Sequence, residues 1–280
     1  MRTFFALAVV LFASIAPAAE PKVQRDVAYA EPKTERRTLD VYAPTSGADH
    51  PIVVWIHGGG WRQGDKRSVQ LKPQAFVDRG FVFVSTNYRF VPQVTVKEMT
   101  GDVAKAIRWA HDHAQEFGGN PKSIFVMGHS AGAHLAALVC TDDRYLQAEG
   151  LPLSLIKGCV PVDTAAYDIP ERFAQSEAAK AENGKAIFGQ EAAMHRELSP
   201  VTYVGKVKSI PAFLILHVAD RPDSTAQSQK FAKVLRQAGV TATTVPAEGK
   251  THGTINSELG LPDDKPTKAM FDFLTKQLAK

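Results

Sequence analysis

The chain has 280 residues and only two cysteines, Cys140 and Cys159. Neither lies in a Cys/His spacing of the zinc-binding kind, and no H-E-x-x-H string occurs, so no metal site is expected. Cys140 closes an apolar helical run and Cys159 falls inside a strand-like run. Both are expected to be small buried hydrophobes and not a disulfide. Basic residues exceed acidic ones by only four, and no run of Lys or Arg gathers that excess. A nucleic-acid partner is therefore not expected. Beyond residue 19 no apolar stretch approaches the roughly 20 residues that cross a bilayer. Internal repeats and low-complexity linkers are also absent. What remains is an ordinary globular composition, 44% apolar and 22% charged, long enough for a sizeable core.

The first nineteen residues stand apart. Met1 and Arg2 make a short basic start, Phe4 to Ile15 is almost wholly apolar, and Ala16-Pro17-Ala18 offers small residues for cleavage. This is the pattern of a secretory signal. Residues 1–19 are expected to be removed, leaving 20–280 as a single domain outside the cytoplasm, secreted or periplasmic.

The rest alternates between strand-like and helix-like segments. Thr38 to Tyr42 alternates and suggests an edge strand. Pro51 to Ile56, Phe81 to Thr86, Ser123 to Met127, Ile156 to Val162, Ala212 to His217 and Ala242 to Pro246 are apolar runs, the first rich in β-branched residues. Such runs fit parallel strands covered on both faces. Helical spacing appears at Val69 to Arg79, Met99 to Phe117, Ala133 to Cys140, Ser224 to Gln237 and Thr267 to Ala279. Strands alternating with helices predict an α/β fold with a mostly parallel sheet. Residues 163–200 lack a strand and are rich in Ala, Glu and Lys. They are expected to be a helical insertion, a lid over the carboxyl edge of the sheet where ligands bind in such folds.

Two glycine motifs carry the chemistry. Gly128-His129-Ser130-Ala131-Gly132 sits between a buried strand and a helix, the context of a nucleophile elbow, with Ser130 as nucleophile. His57-Gly58-Gly59-Gly60 follows an earlier strand. Consecutive glycines let backbone amides face a developing oxyanion. His57 itself is expected to brace that loop. Trp61 either lines the site or packs behind the glycines.

A serine nucleophile needs a base and an acid. His252, directly after the last strand, can swing over the elbow. His129 and His134 flank Ser130 too closely for that role, His111 and His113 belong to a surface helix, and His217 is expected inside a strand. Asp220 and Asp223 both follow Ala212 to His217 in the loop where an acid belongs. The order Ser130, Asp220, His252 is the one this elbow requires.

With these residues in place, the chain resembles the α/β-hydrolase superfamily. More narrowly, it resembles esterases and lipases with an HGGGW motif: hormone-sensitive-lipase-like esterases, BD-FAE-type acetyl-xylan and feruloyl esterases, and kynurenine formamidases. The matching stretches are Leu39 to Tyr42, His57 to Lys66 (HGGGWRQGDK), Asn87-Tyr88-Arg89, Gly128 to Ala136 (GHSAGAHLA) and Gly249 to His252. The resemblance implies oxyanion amides from Gly59, Gly60 and Ala131. It also places the acid seven residues before a Gln-Ser pair, here Gln227-Ser228, which selects Asp220. One departure stands out: the family often reads His-Gly-x-x-Asp, whereas this chain reads His217-Val218-Ala219-Asp220-Arg221-Pro222-Asp223, a slightly altered loop. The implied activity is cofactor-free hydrolysis of a small-molecule or polysaccharide-linked ester. An amidase or formamidase of the same fold is the alternative. A silent binding module is a further one, although such a member would usually have lost Ser130 or His252.

Overall fold

A computed structural model describes residues 20–177 and 181–280. The expected leader, residues 1–19, lies outside the described residues. Eight strands form one sheet in the order β1-β2-β4-β3-β5-β6-β7-β8. They are β1 (Lys22–Ala28), β2 (Thr38–Ala43), β3 (His50–Ile56), β4 (Val82–Thr86), β5 (Gly119–His129), β6 (Ile156–Val162), β7 (Ala212–Val218) and β8 (Ala242–Ala247). β1 pairs antiparallel with β2, and β2 antiparallel with β4. Every later pairing is parallel, as the continuous apolar runs predict.

β2 is not the edge strand that its alternation suggested. All six of its residues are buried, because β1 covers its outer side. β1 went unexpected since KVQRDVA is polar and mostly exposed. It is held by backbone pairing and by Arg25, whose Nη1 donates to Asp40 Oδ2 (3.1 Å) and to the Tyr42 hydroxyl (3.1 Å).

Side chains alternate across the sheet and build two cores. Ile52, Val54 and Ile56 of β3 face one cluster, which holds Val103, Ile107, Leu135 and Phe231. Val53 and Trp55 face the other, with Phe76, Met270 and Leu274. Among the described residues the helices are α1 (Lys72–Val77), α2 (Val96–Asp112), α3 (Ala131–Val139), α4 (Arg144–Ala148), α5 (Ile169–Gln175), α6 (Glu182–Phe188), α7 (Ala192–Glu197), α8 (Pro222–Gln237), α9 (Thr254–Ser257) and α10 (Lys265–Leu278), and α1, α2, α3, α8 and α10 supply the core residues named above.

α2 begins three residues earlier than its apolar spacing indicated. A capping box starts it: Glu98 N–H donates to Thr95 Oγ1 (3.3 Å) and Thr95 N–H to Glu98 Oε2 (2.8 Å). These bonds satisfy two of the donors that a helix start leaves orphaned. The Thr-x-x-Glu string was readable in the sequence. Cys140 and Cys159 are both buried and free. Among the described residues the segment between β6 and β7 holds α5, α6 and α7 and no strand, as expected of a helical insertion. Among the described residues, no helix is long and apolar enough to cross a membrane.

Candidate active site

β5 ends at His129, and α3 begins at Ala131. Ser130 between them has φ 56° and ψ −118°. A non-glycine residue there is strained, and the surroundings must impose it. The flanking glycines show how. A Cβ on Gly128 would lie 2.4 Å from the carbonyl oxygen of Gly132, and one on Gly132 2.2 Å from that of Ile56. No side chain fits either place, so the turn closes tightly. Ser130 N–H donates to Val162 O (2.9 Å), which pins the turn to β6. The Ser130 hydroxyl is left in a cavity of about 1440 Å³.

His252 stands in the loop between β8 and α9. Its Nε2 lies 2.9 Å from Ser130 Oγ, and its Nδ1 lies 2.6 Å from Asp163 Oδ2. The partner carboxylate is therefore Asp163, the first residue after β6, and not Asp220. Asp220 is exposed. The reason is loop length. β7 runs to Val218 and α8 starts at Pro222, leaving three residues to turn the chain. Asp220 points away, and Arg221 reaches the histidine. The altered loop around Asp220 was the available warning. Asp223, the other candidate, is also exposed and lies 3.4 Å from Arg221 Nη2.

Asp163 is fully buried and saturated with donors. Its Oδ1 accepts from Val218 N–H (3.0 Å) and from Ser224 Oγ (2.6 Å). Its Oδ2 accepts from His252 Nδ1 and from Arg221 Nη1. Burial alone would raise its pKa. The bonds from His252, Ser224 and Val218, with the Arg221 charge, outweigh burial and hold it far below the usual carboxylate range. Arg221 Nη1 also lies 2.7 Å from His252 Nδ1. A guanidinium only donates, and Nδ1 is already donating to Asp163. Both groups therefore aim protons at one carboxylate, and that leaves Nε2 of His252 free to accept from Ser130.

Three other histidines surround the site, and burial is the largest influence on each. His57 is lowered to about 4, His129 to about 3 and His134 to about 4. Each neutral ring spends its proton on a backbone carbonyl: His57 on Gly58 (2.7 Å), His129 on His252 (2.8 Å) and His134 on Leu198 (2.8 Å). His57 also stacks on Tyr88 at 4.5 Å, while the Tyr88 hydroxyl donates to His57 O (3.0 Å). It braces the glycine loop. His217 is buried in β7.

Gly59 and Gly60 line the cavity beside Ser130. Gly59 adopts φ 128°, and a Cβ there would lie 1.9 Å from Gln63 O; only glycine fits. Ala131 opens α3, so its N–H has no acceptor within the helix. Trp61 both lines the cavity and packs into the core. Its ring meets Phe188 at 4.9 Å, and its Nε1–H donates to His134 Nδ1 (3.3 Å). α5 and α6 supply Phe173, Ile187 and Phe188 to the cavity wall. Among the described residues, no cluster of three His, Cys, Asp or Glu could hold a metal ion.

Besides Asp163 and Arg221, a third residue at the site carries no signal in the sequence pattern. Lys72 is completely buried, and its Nζ donates to Asn256 O at 2.7 Å and to Gln70 Oε1 at 3.1 Å. The ammonium lies 4.8 Å from the Trp55 ring centroid. It ties the segment that follows His252 to α1. Burial lowers its pKa to about 7.

A profile of the BD-FAE family matches residues 39–235. A probable isoprenylcysteine alpha-carbonyl methylesterase of Oryza sativa subsp. japonica is 29% identical over 245 residues, covering 82% of this chain and 58% of that protein. The kynurenine formamidase of Danio rerio is 29% identical over 237 residues, covering 84% of this chain and 76% of that protein. The chain spans between 51% and 58% of the length of the methylesterases it matches. Among solved structures, a truncated carbohydrate esterase from gut microbiota superposes with a TM-score of 0.76 at 23% identity. The match covers 95% of this chain and 99% of that one. The shared fold is that of the α/β-hydrolase esterases.

Proposed function

The chain belongs to the BD-FAE family, and from that premise we propose that it is a serine hydrolase of carboxylic esters working through Ser130, His252 and Asp163. The observation that carries this reading is the hydrogen-bonded chain from Asp163 through His252 to Ser130 at one wall of a large cavity. In the first half-reaction Ser130 Oγ bonds to the ester carbonyl carbon, and its proton moves to His252 Nε2. The resulting oxyanion is met by amides of Gly59, Gly60 and Ala131. Collapse breaks the bond to the alcohol oxygen, which leaves with the proton from His252, and an acyl-Ser130 remains. Water then attacks the acyl carbon, gives one proton to His252, and releases the carboxylic acid as the proton returns to Ser130. Asp163 fixes the tautomer of His252 and stabilises its charged form.

The finer reading is a secreted or periplasmic enzyme that removes acetyl or feruloyl groups from plant polysaccharide. It rests on the leader-like residues 1–19 and on analogy with the family. Hydrolysis of a formamide is the second reading, favoured by the extent of the match to a kynurenine formamidase.

The deciding experiment measures hydrolysis of p-nitrophenyl acetate, butyrate and octanoate, and of N-formylkynurenine, by the protein and by Ser130→Ala. Ester turnover that disappears in the variant supports the proposal, and the preferred chain length sizes the acyl pocket. Equal rates in both proteins would remove Ser130 as the nucleophile. Turnover of the formamide alone would establish the second reading.

A further inference from the structure

A partly buried cation in the cavity has no use in the scheme above. Arg172, on α5, lines the same cavity as Ser130 and is half-buried. No described residue accepts a hydrogen bond from its guanidinium or forms an ion pair with it. The carboxylates around it are already engaged. On its own helix, Glu171 Oε2 takes Lys230 Nζ at 2.7 Å, and at the helix start Asp168 Oδ2 takes the same ammonium at 3.1 Å. Across the cavity, Asp65 is shared between Arg36 (3.5 Å) and Asn87 (3.4 Å). Asp223 acts on Arg172 from a distance but pairs with Arg221. His134, on the inner side, is neutral and bonded to Leu198.

Taking a cation out of water without a partner is costly, and such groups are normally paired. Burial accordingly pulls the Arg172 pKa down from its usual value. The neighbouring wall is apolar, made of Phe173, Ile187 and Phe188. A partly desolvated guanidinium in a concave site matches the flat two-oxygen geometry of a carboxylate.

We infer that Arg172 receives a carboxylate of the substrate, so that the preferred esters are those bearing a free carboxylate on the acyl or the alcohol side. The inference rests on the esterase reading of Ser130. The carboxylate takes no part in bond breaking; its pairing orients the ester at Ser130.

Two matched pairs of esters test it. On the acyl side, the mono-p-nitrophenyl ester of glutaric acid is compared with p-nitrophenyl valerate. On the alcohol side, 3-acetoxybenzoate is compared with phenyl acetate. The readout is the ratio of kcat/KM for the anionic ester to that for its neutral partner, in the wild type, Arg172→Met and Arg172→Lys. In at least one pair the ratio is expected to fall about tenfold to a hundredfold in Arg172→Met, the range for a lost hydrogen bond to a charged group. Arg172→Lys is expected to restore part of it, and the wild-type ratio is expected to fall as salt rises. The pair that responds identifies the side on which the carboxylate sits. Ratios that stay the same in all three proteins, while the neutral esters are hydrolysed, would overturn the inference and leave the esterase reading standing. Failure of the wild type to hydrolyse any of the four esters would instead remove the reading on which the inference rests.

Discussion

The loops after β6 and β7 both bring a carboxylate to the same edge of the sheet, yet they treat it in opposite ways. Asp163 follows β6 directly. It is buried, takes four hydrogen bonds, and lies 2.6 Å from His252. Asp220 follows β7 in a three-residue turn and is exposed to solvent. The β7 loop sends a cation to the site instead, since Arg221 donates to Asp163. Position after a strand is therefore not enough to make an acid partner. A carboxylate orients a histidine only when surrounding donors hold it in place and water does not compete for it.

The comparison breaks most readily on kcat. Asp163→Asn is expected to lower kcat for p-nitrophenyl butyrate by about 10³ to 10⁴, the cost of losing the correct histidine tautomer in a serine triad. Should Asp220→Asn cause that loss while Asp163→Asn stays active, the roles of the two loops are reversed.

Stability sharpens the contrast. The carboxyl of Asp163 has a depressed pKa. Its pairing therefore stabilises the fold above the ordinary aspartate pKa of about 4 and is lost as pH falls below that value. Urea unfolding of the wild type should weaken below about pH 4, with a shallower acid decline in Asp163→Asn. Lys72 under the His252 loop gives a slope of the same sign at higher pH, for the opposite reason, because burial disfavours its charged form. Its pKa is about 7 in the fold and about 10.4 in an unfolded chain. Between these values the unfolded state holds the extra proton, so stability rises with pH by at most about 1.4 kcal/mol per unit. Lys72→Met should flatten that rise between about pH 7 and 10. An unchanged slope would mean that Lys72 is not the group responsible. The smallest effect is expected at Asp220. Asp220→Asn should change kcat/KM less than about twofold and leave the urea midpoint in place, as is usual for an exposed side chain away from such features.

Much of the site could be read before folding was considered. Ser130 and the two glycine motifs are local devices. The backbone approaches at Gly128, Gly132 and Gly59 admit no side chain, so the residue types themselves report the geometry. His252 was legible because a short loop after the last strand has few places to go. The acid was not. Asp163 follows β6 as Asp220 follows β7, but the resemblance points to Asp220 alone, and only the fold brings Asp163 to His252. The altered stretch from His217 to Asp223 was visible, but its effect depends on where β7 ends and α8 begins. β1 escaped notice for a related reason, because its stability comes from pairing with β2 and not from any apolar face of its own.

The sequence by itself determined the α/β architecture, the parallel strands, the tight glycine-flanked turn at Ser130 and the histidine that comes to lie beside it. Each follows from contacts between residues near one another along the chain or from the burial pattern of one segment. Tertiary structure alone decided which carboxylate meets His252, the engagement of Arg221 with it, the tether from Lys72 and the lack of a partner for Arg172 among the described residues. These depend on distances between segments up to 184 residues apart and on which charges share a dry space, and no local pattern of residues encodes either.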